Sequence, residues 1–121
     1  VLMIGPAGPN DAAMFDIDDT LIFINGHPNV PIIKVLHNMK ELGYKIIIIT
    51  ARPGLQPVIN YTIKQLTDYG ITYNYLGFTS AQTKTIMKKK LGYNFVLSVG
   101  DMPTDWTDSK YYINTSNSDR N

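Results

Sequence analysis

Lys45-Ile46-Ile47-Ile48-Ile49-Thr50 is the stretch whose reading decides the fold. Four consecutive isoleucines are too few for a helix, and they show no polar alternation. A β-branched run of this kind, buried on both faces, is the pattern of a central strand in a parallel sheet. The flanks agree. Upstream, Pro31 suits the first turn of a helix. Ile32, Val35, Leu36, Met39 and Leu42 then recur at helical spacing, with His37, Lys40 and Glu41 opposite, and Gly43 stops the element. Downstream, Ala51 to Gln56 reads as a loop. Pro57 opens a second helix with Ile59, Ile63 and Leu66 inward and Gly70 at its end.

Further outward, Ala12–Ile17 reads as a first strand, followed by a turn at Asn25-Gly26-His27-Pro28-Asn29. Ile71–Leu76 reads as a third strand. Thr79 or Ser80 is the expected cap of a third helix that runs to Leu91, with Gly92 beyond. Phe95–Val99 reads as a fourth strand and Tyr111–Asn114 as a fifth. Alternating strands and helices imply right-handed crossovers. The expected fold class is α/β: a Rossmann-like three-layer α/β/α sandwich around a mostly parallel sheet. One domain covers residues 1–121, with 1–11 and 115–121 loop-like or frayed, save a short strand at Val1–Ile4. Such sheets bind ligands outside the carboxyl ends of their strands. Asp16, Thr50, the start of the third helix and Asp101 should therefore lie along one edge.

Composition narrows the chemistry. No cysteine is present, which excludes a thiol nucleophile, a Cys-based zinc site and disulfides. The net charge of +1 gives no bulk attraction to nucleic acid or membrane. No segment approaches the roughly 18 apolar residues of a membrane span, and Val1–Ile4 lacks a basic lead, so a cytoplasmic location is the expectation. The start at Val1 leaves open a leader removed upstream. The acidic side is lopsided, with nine Asp and only Glu41. Three of them crowd into Asp16-Ile17-Asp18-Asp19-Thr20, between apolar flanks. Charges packed so closely need a cation, a hydrogen-bond cage or a proton. The reading is a metal-dependent phosphoryl-transfer site.

At this point the chain resembles the haloacid dehalogenase superfamily, mostly phosphatases. Asp16-Ile17-Asp18-Asp19-Thr20 matches its first motif, Asp-x-Asp-x-Thr after a strand. Thr50 after the isoleucine run matches the second. Lys84 in Thr83-Lys84-Thr85 matches the third, and Gly100-Asp101-Met102-Pro103-Thr104-Asp105 the fourth. All four stand in family order. The third and fourth also resemble the class B acid phosphatase branch, and a polynucleotide phosphatase-like branch is the other candidate. The resemblance implies a Mg²⁺-dependent phosphomonoesterase. Asp16 would be the nucleophile that becomes an aspartyl-phosphate, and Asp18 the acid and base. Thr50 and Lys84 would hold the phosphate. Mg²⁺ would sit on Asp16, Asp101 and the backbone carbonyl of Asp18, with Asp105 in support; Asp108 is a cap or exposed. Asp19 and Thr20 would shape the turn. Leu21–Lys45 and Ala51–Gln82 hold only core elements, which leaves no room for a cap domain. A capless site implies a large substrate such as a nucleic acid end or phosphoprotein, or closure by a second subunit in a homo-oligomer; nucleotides and small phosphate esters stay open.

Other residues keep competing readings. Arg52 pairs with a substrate anion or is simply exposed. Trp106 lines the substrate or belongs to the core. His27 and His37 are not expected to act. Lys88, Lys89 and Lys90 fan around a helix and read as a solvated face. An EF-hand fails, because Leu21 stands at its Gly position and His27 at its Glu position. Two other function classes stand beside the phosphatase. A receiver-like phosphoacceptor domain would place its Asp and Lys in another order. A non-catalytic binding domain has no need of all five of Asp16, Asp18, Thr50, Lys84 and Asp101.

Overall fold

A computed structural model describes residues 4–116. Five strands form one parallel sheet: β1 (Asp11–Phe15), β2 (Lys45–Thr50), β3 (Tyr75–Phe78), β4 (Asn94–Gly100) and β5 (Ser109–Asn114). Their spatial order is β3-β2-β1-β4-β5. Four helices connect them: α1 (Val30–Glu41), α2 (Gln56–Asp68), α3 (Lys84–Leu91) and the one-turn α4 (Pro103–Trp106).

The isoleucine run behaves as its composition dictates. Ile46 and Ile48 enter one core with Ala13, Phe15, Leu36, Met39 and Leu66, under α1 and α2. Ile47 and Ile49 enter the other with Ala12, Met14 and Phe95, against Met87 and Leu91 of α3. All four are fully buried, each worth about 1.5–3 kcal/mol of apolar burial. The sheet is thus covered on both faces and belongs to the α/β class. No cap domain stands between β1 and β2 or between β2 and α3.

The first two crossovers step outward from β1 to β2 and β3, and the third jumps back across the sheet to β4. Strand order reverses between β1 and β4, which opens a crevice at their carboxyl ends. Their pairing shifts register: Ala12 pairs with Phe95 but Ala13 with Leu97, leaving Val96 as an extra residue.

Three details depart from the sequence reading. The third strand is Tyr75–Phe78 rather than Ile71–Leu76. Ile71 instead closes the end of α2, its N–H donating to Leu66 O, and is buried there. Asn74 then exchanges two bonds with Ile46 before the ladder begins. On α2, Ile63 is exposed and Thr62 takes the buried position. The third helix opens with a 3₁₀ turn over Ala81–Thr83, and neither Thr79 nor Ser80 caps its N–H groups. The Thr79 and Ser80 hydroxyls bond the Thr83 hydroxyl instead. The strand expected at Val1–Ile4 lies outside the described residues except for Ile4, which is irregular, as are Thr115 and Ser116. Among the described residues no helix is long and apolar enough to cross a membrane.

Candidate active site

Asp16 leaves the end of β1 with its N–H on Val99 O at 2.9 Å, which seats it beside β4. It is buried. The Ile17 N–H donates to Asp16 Oδ1 at 2.8 Å, and Lys84 Nζ donates to the same oxygen at 2.8 Å. The turn that follows is tight. Ile17 O accepts the N–H groups of Thr20, Leu21 and Ile22. Asp19 adopts φ 57°, and its carboxylate accepts the Ile24 N–H. Asp tolerates that left-handed backbone better than most residues. Asp19 therefore builds the turn.

Lys84 opens α3 and reaches across to a second carboxylate, Asp105 Oδ1, at 2.8 Å. Asp105 is completely buried on α4. Its other oxygen accepts the Met102 N–H at 3.1 Å. Gly100 makes this approach possible, because a Cβ there would stand 2.4 Å from the Asp105 Cβ. Asp16, Asp101 and Asp105 each bring a carboxylate oxygen within 4.8 Å of the others. Burial pushes Asp16 up to about 7; the Lys84 charge opposes this and the Asp105 charge adds to it. Burial alone would lower Lys84, but Asp16 and Asp105 outweigh it and hold the ammonium above the usual lysine value. One lysine thus faces three carboxylates, and among the described residues no cation pairs with Asp101. A close, oxygen-only donor set carrying excess negative charge fits a hard divalent cation such as Mg²⁺.

The Asp18 carboxylate is not part of this cluster. Arg52 grips it with two bonds, Nε to Oδ2 at 3.1 Å and Nη2 to Oδ1 at 2.8 Å. The remaining guanidinium nitrogen donates to Thr62 Oγ1 at 3.0 Å and Gln65 Oε1 at 2.9 Å on α2. Arg52 is thus mostly buried, at 13% side-chain exposure against 39% for Asp18. Thr50 ends β2 fully buried, and its hydroxyl accepts the Arg52 N–H. The Trp106 indole N–H donates to Gly100 O, and the ring stacks on Tyr112 at 4.8 Å. The strand-edge rule therefore gathers Asp16, Thr50, Lys84, Asp101 and Asp105, while Arg52 and Trp106 brace neighbours.

One residue corrects the sequence reading. Lys88 is not on a solvated face; it is buried, whereas Lys89 and Lys90 are exposed. Its ammonium donates to Ser98 Oγ at 2.9 Å, Ser109 Oγ at 3.0 Å and Asp105 O at 3.0 Å, and also to Thr107 O. It also lies 5.1 Å from the Phe95 ring centre. Burial lowers its pKa to about 8. Two sequence signals pointed to it. Lys88 stands one helical turn after Lys84, and Ser98 interrupts the apolar Phe95-Val96-Leu97-Ser98-Val99, where a buried hydroxyl needs a partner.

The profile described as haloacid dehalogenase-like hydrolase matches residues 13–102. No curated protein matches the chain. Among solved structures, a chain of a Pnkp1/Rnl/Hen1 complex is 26% identical, with a TM-score of 0.66, over 78% of this chain and 40% of that one. A chain of the Pnkp1/Rnl/Hen1 RNA repair complex is 26% identical, with a TM-score of 0.64, over 78% of this chain and 37% of that one. The matched region thus spans about two fifths of these neighbours.

Proposed function

The chain belongs to the haloacid dehalogenase-like hydrolase family, and from that premise we propose that it is a Mg²⁺-dependent phosphomonoesterase working through an aspartyl-phosphate. The observation that carries this reading is the asymmetry of Asp16. Lys84 and the Ile17 N–H both hold Oδ1, so Oδ2 is left to attack. Attack by Oδ2 on phosphorus forms the aspartyl-phosphate and breaks the bond to the leaving oxygen, which takes a proton from Asp18. In the second half Asp18 removes a proton from water, the water oxygen bonds phosphorus, and the Asp16–phosphorus bond breaks. Arg52 orients Asp18 for both transfers. The Thr50 hydroxyl, which accepts from the Arg52 N–H, keeps its own proton for a phosphate oxygen. Lys84 balances charge on Asp16 and the phosphate. Asp16 and Asp101, backed by Asp105 and by the Asp18 carbonyl that the resemblance implies, would hold a Mg²⁺ that neutralises charge on the phosphoryl oxygens.

The substrate class we assign is a phosphorylated nucleic acid end. Two things support it: the likeness to chains of an RNA repair complex and, among the described residues, the lack of a cap domain between β1 and β2 or between β2 and α3. That likeness favours the polynucleotide phosphatase-like branch over the class B acid phosphatase one.

The test is hydrolysis of an aryl phosphate with Mg²⁺, Mn²⁺ or Co²⁺, followed by a panel of 3′-phosphorylated oligonucleotides, nucleotides, sugar phosphates and phosphopeptides. Turnover lost in Asp16→Asn and highest on oligonucleotides is the expected result. No turnover with any of the three metals would leave a binding domain. A stable phosphoprotein without hydrolysis would make it a phosphoacceptor. Preference for another class on the panel would replace the nucleic acid assignment.

A further inference from the structure

Lys84 and Lys88 are one turn apart on α3, and both are buried. They meet the same residue of α4 at two different atoms. Lys84 meets the Asp105 carboxylate, and Lys88 meets the Asp105 carbonyl. A helix of four residues has almost no internal hydrogen bonding to hold it. The last carbonyls of α4 need donors, and Lys88 supplies them at Asp105 O and at Thr107 O just beyond. A lysine beneath these carbonyls also complements the negative end of the turn. The same ammonium ties that turn to Ser98 on β4 and Ser109 on β5. No carboxylate lies within ion-pair distance of it among the described residues. A buried cation held by neutral acceptors, with the Asp108 and Asp105 charges acting only from beyond contact, is costly to keep. The cost is intelligible if the four acceptors must be held in one arrangement.

We propose that Lys88 is a positioning residue for the acidic centre: by clamping the carbonyl end of α4 to β4 and β5, it sets where the Asp105 carboxylate stands relative to Asp16, Asp101 and Lys84. The link to metal binding rests on the phosphatase reading; the clamp itself does not.

Two measurements separate these levels. The first is hydrogen exchange in metal-free protein. In Lys88→Met, the amides of Met102 and of residues 104–107 should exchange roughly 10- to 100-fold faster, the scale of a lost charge-assisted hydrogen bond. Amides of β1 and β2 should keep their protection. Unchanged exchange over 102–107, or an equal rise throughout the chain, overturns the clamp. The second is Mn²⁺ binding measured by titration calorimetry. Lys88→Met should weaken it roughly 10-fold or more, as lost support of a metal ligand does. The same change in an Asp105→Asn background should have little further effect. Equal losses in both backgrounds overturn the route through Asp105. A wild-type protein that binds no Mn²⁺ counts against the phosphatase reading, while the exchange result still decides the clamp. Lys88→Gln, neutral but able to donate, stands in if Lys88→Met does not fold. Failure of both to fold makes Lys88 a determinant of the whole fold and overturns the proposal.

Discussion

Replacing Arg52 with Met removes four hydrogen bonds and leaves the aliphatic stem. Two of the bonds orient the Asp18 carboxylate, and two anchor the guanidinium to Thr62 and Gln65. A bidentate pair would be worth several kcal/mol if fully buried, but Asp18 is 39% exposed and water screens it. Counting the Thr62 and Gln65 bonds at about 1 kcal/mol each and discounting the ion pair gives a net loss of about 2 kcal/mol. For a chain of this length that lowers Tm by roughly 8 °C. The kinetic effect discriminates better. If Arg52 acts by orienting Asp18, the loss follows the need for a proton on the leaving oxygen. An alkyl phosphate, with a basic leaving group, should lose about 100-fold in kcat/KM. A nitrophenyl phosphate needs little protonation and should lose less than about 10-fold. Both substrates are assayed at saturating Mg²⁺, well below the lowered Tm. Arg52→Lys keeps the charge without the planar fork and should behave like Arg52→Met. Equal losses on the two esters, with a raised KM for both, would refute the reasoning. They would place Arg52 directly on the substrate anion.

Gly100→Ala forces a Cβ to within 2.4 Å of the Asp105 Cβ and Cγ. It should cost about 1–3 kcal/mol in stability by overpacking and weaken Mn²⁺ binding in calorimetry. The pH dependence of Asp16 has a definite sign. Its folded pKa of about 7 lies above the ordinary 3.8, so its contribution favours the fold below that ordinary value and is lost as pH rises through 7. In EDTA, the Tm of Asp16→Asn minus that of wild type should therefore grow between pH 4 and pH 8. A difference that is flat with pH would mean Asp16 stays charged throughout.

Much of the fold was legible because its central strands are buried on both faces. The pattern of Ile46 to Ile49 then reduces to an unbroken apolar run, and strand ends fall where the run stops. The third strand was harder. Ile71-Thr72-Tyr73-Asn74 has the composition of a strand, but Ile71 docks onto α2 and pairing starts only after Asn74. That choice belongs to tertiary contacts, which propensity does not carry. The site divided in the same way. Asp16, Thr50 and Asp101 lie at strand ends, so topology alone brings their edge together. Lys88 was misread because three successive lysines give no helical phase; only its spacing from Lys84 and the hydroxyl of Ser98, on another element, mark which one turns inward. The Arg52 contacts join the Asp18 turn, the end of β2 and two positions on α2, a meeting that no local pattern announces.

The register shift between β1 and β4 carries a consequence at the far end of the sheet. Beyond it, Phe15 is level with Val99. Without Val96 as the extra residue, the pairing of Ala12 with Phe95 would run on, and Phe15 would be level with Ser98. Asp101 would then protrude about 3.3 Å further from the strand ends, with every later β4 side chain turned to the opposite face. Ser98 would point away from Lys88, and the gap that Gly100 keeps for Asp105 would open on the wrong side. The spacing of the acidic centre is thus gauged about 13 Å away, by one surplus residue at the foot of β4. Forcing Val96 into the regular ladder removes no side chain from the crevice, yet it takes the crevice out of alignment, whereas deleting Val96 would leave Ala13 level with Leu97 and Phe15 level with Val99.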